Sequence, residues 1–329
     1  MTLKSALSFA AKAAVSVVIL YLALRSVDFA TLQDRLRNLH IGWYAVALAL
    51  MTVQMFLTAL RWRAIAIACG APLGAGRAFI YSLIGAFFSQ TLPSTVGGDA
   101  ARIVLLSKDT GRWKGATYSV LVDRGAGLTW LALLVFACLP WSLAVISNPI
   151  GRWTLTLVGL AGLAIIPGLM LARLVGRRIA SRWAVVRHLH EAADIACRCI
   201  VSRVPGVTVA TSTIAVHLIT VLAVWAIARS VDSSLPLGTA LLLVPPVILI
   251  AAVPVSIAGW GVREGAMVTA FTYAGLPASD GLLVSLAFGI CAFLLGAAGG
   301  VLWLARRQQT KPAPSAPAVT PGDIAGTSR

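Results

Sequence analysis

Three short stretches hold the residues able to do chemistry: Leu92–Leu106 (LPSTVGGDAARIVLL), Ser119–Leu128 (SVLVDRGAGL) and Val253–Gly265 (VPVSIAGWGVREG). Each pairs an acid with an arginine: Asp99 with Arg102, Asp123 with Arg124, and Glu264 with Arg263. Two of them carry glycine breaks, at Gly97-Gly98 and at Gly259 and Gly261. Arginine presents a planar fork of donors that matches phosphate oxygens. A helix that starts after a glycine break aims free N–H groups and the positive end of its dipole at an anion. Together these features suit a phosphate-bearing ligand held by Gly97, Gly98, Asp99, Arg102, Asp123, Arg124, Gly259, Gly261, Arg263 and Glu264. The same residues admit a structural reading, in which Asp99 caps its helix and pairs with Arg102 at i,i+3 while Arg263 and Glu264 pair with each other. Asp123 and Arg124 are neighbours and diverge by ~100° around a helix, so each needs a partner elsewhere. Arg102 and Glu264 are the candidates, and Arg124 could instead snorkel to the membrane interface.

Other polar residues carry weaker signals. Arg61-Trp62-Arg63 reads as an interfacial anchor at the end of a crossing, with phosphate contact a weaker second reading. His217 falls in mid-crossing, where a histidine serves packing more readily than proton relay. His188, His190, Cys197 and Cys199 do not match a zinc spacing, so no metal is expected. The five cysteines are odd in number and lie mostly in or near apolar runs, which argues against a disulfide framework. No G-x-x-x-x-G-K-[ST] run occurs, so neither a nucleotide nor another cofactor is expected.

The elements that must position these residues follow from the composition. The chain of 329 residues is 59% hydrophobic with mean hydropathy +0.89, and it contains runs long enough to cross a ~30 Å hydrocarbon core. This is the pattern of an all-α polytopic membrane protein. The net charge of +16 is then loop charge beside an anionic bilayer surface and not a nucleic-acid signal. Full crossings are expected near 7–24, 41–60, 117–139, 154–172, 207–228 and 281–304, the first retained and not cleaved as a signal peptide. Two further apolar stretches, 78–98 and 237–262, are interrupted, the first by Pro93 and Gly97-Gly98 and the second by Pro245-Pro246, Pro254, Gly259 and Gly261.

Charge decides whether these two stretches cross. If both turn back as re-entrant hairpins, one side of the membrane collects 19 of the 27 Lys and Arg residues, including the basic segment 173–203. If both cross, the seven arginines between Arg173 and Arg203 move outside, against the positive-inside rule. The expectation is about six crossings plus two re-entrant broken-helix hairpins, both termini cytoplasmic, and the 173–203 segment resting on anionic lipid.

The two breaks also resemble each other, LPSTVGG over VPVSIAG, and in that register Arg102 falls on Arg263. The chain thus reads as a duplication, with residues 1–150 as one membrane repeat and 151–310 as a second. Three crossings per unit is odd, so the second copy would be inverted. Paired interrupted helices in inverted halves point to a substrate site near the midplane. Residues 311–329 are Pro/Ala/Thr-rich and read as a disordered cytoplasmic tail.

Taken in order, PSTVGGDAAR, SVLVDRGAGL and VPVSIAGWGVREG resemble the transmembrane region of lysylphosphatidylglycerol synthases, which also occurs alone as a flippase-like integral membrane family. The resemblance covers about residues 4–305. It implies a flippase moving a phospholipid or isoprenoid-type lipid between leaflets of a bacterial inner (cytoplasmic) or archaeal membrane. The matching positions are Pro93 and the ten residues named above. Synthases continue into a soluble aminoacyl-transferase domain where this sequence has a short tail, so lysine transfer is not expected and no enzyme is implied. Two rival readings are a membrane enzyme of glycosyltransferase type, with Asp28 and Asp34 as its only acidic candidates, and a non-catalytic partner of a lipid-synthesis enzyme. A homo-oligomer is the other partnership this class allows.

Overall fold

In the computed structural model the described residues are 39–92, 96–146, 148–179, 203–253 and 259–309, with the isolated positions 18, 21, 191, 194 and 195. The expected crossing at 7–24, the tail 311–329 and most of the basic segment lie outside them. The described chain is helical throughout and contains no strand. Its helices are α1 (Ile41–Ala68), α2 (Ala75–Thr91), α3 (Gly97–Thr110), α4 (Trp113–Val145), α5 (Pro149–Ile179), α6 (Arg203–Ser230), α7 (Leu237–Ala251), α8 (Val262–Tyr273) and α9 (Ala278–Gln309). Among the described residues four segments are long and apolar enough to cross a bilayer: Ile41–Ala68, Trp113–Val145, Gly206–Ser230 and Ala278–Arg306. The protein is an all-α polytopic membrane protein. Helices α1 and α4 run past the ends expected from hydropathy, and the expected crossing at 154–172 lies within the 31-residue α5.

The interrupted stretches are broken as their sequences require. Helix α2 ends at Thr91, and Leu92 turns extended (φ −87°, ψ 146°), the conformation a following proline imposes. Helix α3 restarts at Gly97 and stops at Gly111, a left-handed residue (φ 68°) whose N–H donates to Ser107 O at 2.8 Å. Helix α7 differs from expectation, because it continues through Pro245 and Pro246 and stops only at Ala251. Neighbouring helices bury both prolines, the setting in which membrane helices tolerate them. With 17, 14, 15 and 12 residues, α2, α3, α7 and α8 span about 18–26 Å each, short of the ~30 Å core.

The helix order repeats. Helices α1–α4 run long, short, short, long with 28, 17, 14 and 33 residues, and the described parts of α6–α9 run the same way with 28, 15, 12 and 32. Their packing is symmetric under exchange of the two sets. Helix α1 packs on α6, and α2 on α9 has its counterpart in α7 on α4. The α2–α3 and α3–α4 contacts are matched by α7–α8 and α8–α9. Apolar burial separates helices from lipid only weakly, so close approach at small residues holds them together. On α9, a Cβ at Gly300 would lie 2.7 Å from the Phe87 ring, and one at Gly299 would collide with the Leu83 carbonyl. Gly85 and Gly98 bring α2 and α3 together in the same way.

Candidate functional site

Helices α1, α3 and α4 converge on a buried ionic cluster. The first turns of α3 place Asp99 and Arg102 on one face, and α4 splays Asp123 and Arg124 apart. Asp123 is buried between two arginines: Arg61 Nε donates to Oδ1 at 2.8 Å and Arg102 Nη2 to Oδ2 at 2.9 Å. Asp99 accepts from Arg124 Nε at 2.6 Å and stands 3.6 Å from Arg102 Nη1. Asp123 thus takes Arg102, as the sequence suggested, whereas Arg124 takes Asp99 and not Glu264. The Arg124 side chain is 44% exposed, which makes it the cluster's open edge.

The second layer fixes these charges. The Arg102 guanidinium lies 4.1 Å over the Trp62 ring, a cation–π contact in a desolvated setting. Trp62 is fully buried and donates from Nε1 to Ser119 Oγ at 3.1 Å. Arg61 Nη1 reaches Thr213 Oγ1 on α6 at 3.4 Å, linking the cluster to the other helix set. Arg102 is not fully satisfied: its Nε is buried without a hydrogen-bond partner among the described residues. Its Nη1 contact to Asp99 is too long for a hydrogen bond.

Arg263 forms a second network on α8 and α9. Its Nη2 donates to Glu264 Oε1 at 2.6 Å, and its Nε donates to Glu264 Oε1 and Ser285 Oγ at 3.1 Å each. Glu264 is fully buried, and its Oε2 accepts the Gly261 N–H at 2.6 Å, closing the first turn of α8. Gly259 and Gly261 have φ of 81° and 86°, left-handed values that favour glycine. Trp260 lies against Arg263 and donates from Nε1 to Gln90 Oε1 on α2 at 3.4 Å.

The two networks are variations on one plan. Aligning Val120–Gly127 (VLVDRGAG) with Leu282–Gly289 (LLVSLAFG) puts Ser285 where the first set has Asp123, and Arg263 reaches Ser285 as Arg102 reaches Asp123. The same register, which carries Asp123 onto Ser285, carries Arg61 onto the buried Ala223. The first set therefore holds a buried Arg–Asp pair where the second holds Ala and Ser. Among the described residues Arg102 (with Asp123, Asp99 and Trp62) and Arg263 (with Glu264, Ser285, Trp260 and Phe288) share no partner.

Sequence reasoning missed Thr213 and Ser285, and it ranked Arg61 and Trp62 first as an interfacial anchor. Arg61 reads as an interfacial anchor only if α1 ends at 60; the helix continues to Ala68 and buries it. Arg63, two positions on, faces the connection and donates to Leu73 O at 3.1 Å. Gly97 and Gly98 face α2: a Cβ on Gly97 would lie 2.8 Å from Leu92, and one on Gly98 would collide with Ser89 Oγ and the Gly85 carbonyl. His217 Nε2 contacts Gly127 O at 3.1 Å, the packing contact the sequence favours. Among the described residues no group of His, Cys, Asp and Glu side chains is arranged to hold a metal, and Cys138 and Cys291 are free thiols.

Comparisons with known proteins bear on the whole chain. Neither the curated proteins nor the solved structures contain a match to it. One family model does match, over residues 9–300, a range that includes every residue of both networks. The protein belongs to the family of the lysylphosphatidylglycerol synthase TM region.

Proposed function

We propose that the protein moves a phosphate-bearing lipid, a phospholipid or isoprenoid-type lipid, between membrane leaflets, with Arg102 and Arg124 receiving the head group. The observation behind this reading is the Arg102 guanidinium, buried with an unpartnered Nε and a 3.6 Å contact at Nη1. An unsatisfied buried donor costs about 1–3 kcal/mol, and a phosphate oxygen accepting from Nε–H would remove that cost. When Arg102 turns to the ligand, Arg61 keeps Asp123 neutralised, so binding does not strand a buried carboxylate. Asp99 competes with phosphate for Arg102 and Arg124 and so favours release. Gly97 and Gly98 hold α3 close on α2, which keeps the Arg102 turn in place. Arg263, balanced by Glu264 and set by Gly259 and Gly261, is the second station, where the neutral pair gives weaker anion binding than the first cluster. This reading is transport without a catalytic step, in an inner membrane with both termini cytoplasmic.

Leaflet exchange of a fluorescent phosphatidylglycerol in reconstituted vesicles, read by quenching of the outer leaflet, tests the proposal. Arg102→Ala removes a charge-assisted contact of ~1.5–3 kcal/mol and should slow exchange roughly 10- to 100-fold. Arg102→Lys keeps charge but loses the fork and should be intermediate. A well-folded Arg102→Ala protein that exchanges the lipid at the normal rate overturns the reading.

A further inference from the structure

A cavity of about 550 Å³ opens between α7, α8 and the junction of α4 with α5. Its wall is hydrocarbon: Leu243, Pro246, Val247 and Ile250 on α7, and Ala266 and Ala270 on α8. It is separate from both arginine networks. Helix α8 turns Arg263, Glu264, Met267 and Phe271 into the protein, and its other face lines the cavity. Among the described residues no charged side chain lines the space. The two threonine hydroxyls on its wall are already committed, since Thr154 Oγ1 donates to Ile150 O and Thr269 Oγ1 to Gly265 O, both at 2.8 Å. Apart from the Tyr273 phenol, the wall therefore offers little to water or to a head group.

The volume argues for an occupant. It is several times the ~150 Å³ apolar cavity that stays dry and takes up benzene. It also lies within the ~300–1,000 Å³ range of small-molecule sites. An empty space of this size forfeits dispersion contacts along its whole wall. In a bilayer the molecules at hand to restore them are lipid chains, and an apolar chain asks for no hydrogen bond.

We infer that this cavity is a binding site for one acyl chain of a bilayer phospholipid. The inference needs the protein to lie in a membrane, but not the phosphate role of Arg102. The test uses the full-length protein in vesicles containing phosphatidylcholine with a photoactivatable diazirine on one acyl chain. Irradiation, digestion and mass spectrometry then map the adducts. Ile290 and Phe293 on α9, both about half exposed, report ordinary lipid contact. The site predicts adducts at Val247, Ile250, Ala266 and Ala270 in clear excess over those at Ile290 and Phe293. Filling the space with Ala266→Phe and Ala270→Phe should abolish the α7 adducts and leave those on α9. Equal labelling of cavity and α9 face in the unaltered protein overturns the inference whether or not the filled variant folds. So does a folded filled variant whose α7 adducts persist. Because the probe is zwitterionic and Arg102→Ala leaves the cavity intact, a failed head-group experiment and a failed chain experiment are told apart.

Discussion

Asp123→Ser is the most informative single change, because the protein already contains the neutral version of the same site. Asp123 is 2% exposed and accepts hydrogen bonds from Arg61 and Arg102 at 2.8 and 2.9 Å. Removing its carboxylate strands two guanidinium groups in a desolvated interior. Breaking a buried ion pair from one side costs about 3–5 kcal/mol. Loss of an ordinary interhelical hydrogen bond in a membrane protein averages only ~0.6 kcal/mol, with a maximum near 1.7. The two expectations are far enough apart to distinguish. Asp123→Asn, which keeps an acceptor but not the charge, should fall between them. The double change Arg61→Ala with Asp123→Ser copies Ala223 and Ser285 from the second helix set and removes one charge of each sign. Arg102 would then face a hydroxyl as Arg263 faces Ser285. The double variant should regain about 2 kcal/mol over Asp123→Ser alone, within the usual range for residues in contact. Unfolding of the detergent-solubilised protein by graded SDS, followed by circular dichroism, gives these differences. A cost below ~1 kcal/mol for Asp123→Ser, or a double variant no more stable than the single, would refute the claim that Asp123 neutralises two buried arginines.

Two further outcomes are expected. Gly98→Ala drives a methyl into Ser89 Oγ and the Gly85 carbonyl, which should lower stability by about 1–3 kcal/mol, whereas Gly238→Ala, with nothing within 4 Å, should change the thermal midpoint little. Single cysteines replacing Lys108 and Ser234 should label with an impermeant thiol reagent from the cytoplasm and from outside respectively, and the reverse pattern, which two full crossings would give, or labelling of both from one side would break the two-hairpin topology.

The polytopic helical character and the two broken stretches were legible because they are local. Hydropathy over some 20 residues needs no partner, and a proline or a glycine break acts on its own backbone. The Leu92–Pro93 stop of α2 and the glycines before α8 follow that rule. The double proline in α7 did not, since its tolerance depends on the helices packed around it. The residues able to bind an anion were also legible, because a charge in an apolar run is costly wherever it points.

The assignment of partners was beyond the sequence. Arg61 and Asp123 are 62 positions apart and Arg61 and Thr213 are 152 apart, and nothing local records either contact. The divergence of Asp123 and Arg124 around α4 was readable from helix geometry, but whether Arg102, Arg61 or Glu264 met them depended on which helices packed together. The sequence by itself determined a helical membrane protein with two interrupted helices and intramembrane arginines, since desolvation and backbone geometry act residue by residue. The tertiary structure alone decided that Arg102 keeps a buried nitrogen unsatisfied while Arg263 is held by its own neighbour Glu264. The satisfaction of a buried charge is set by the distances that packing imposes between helices.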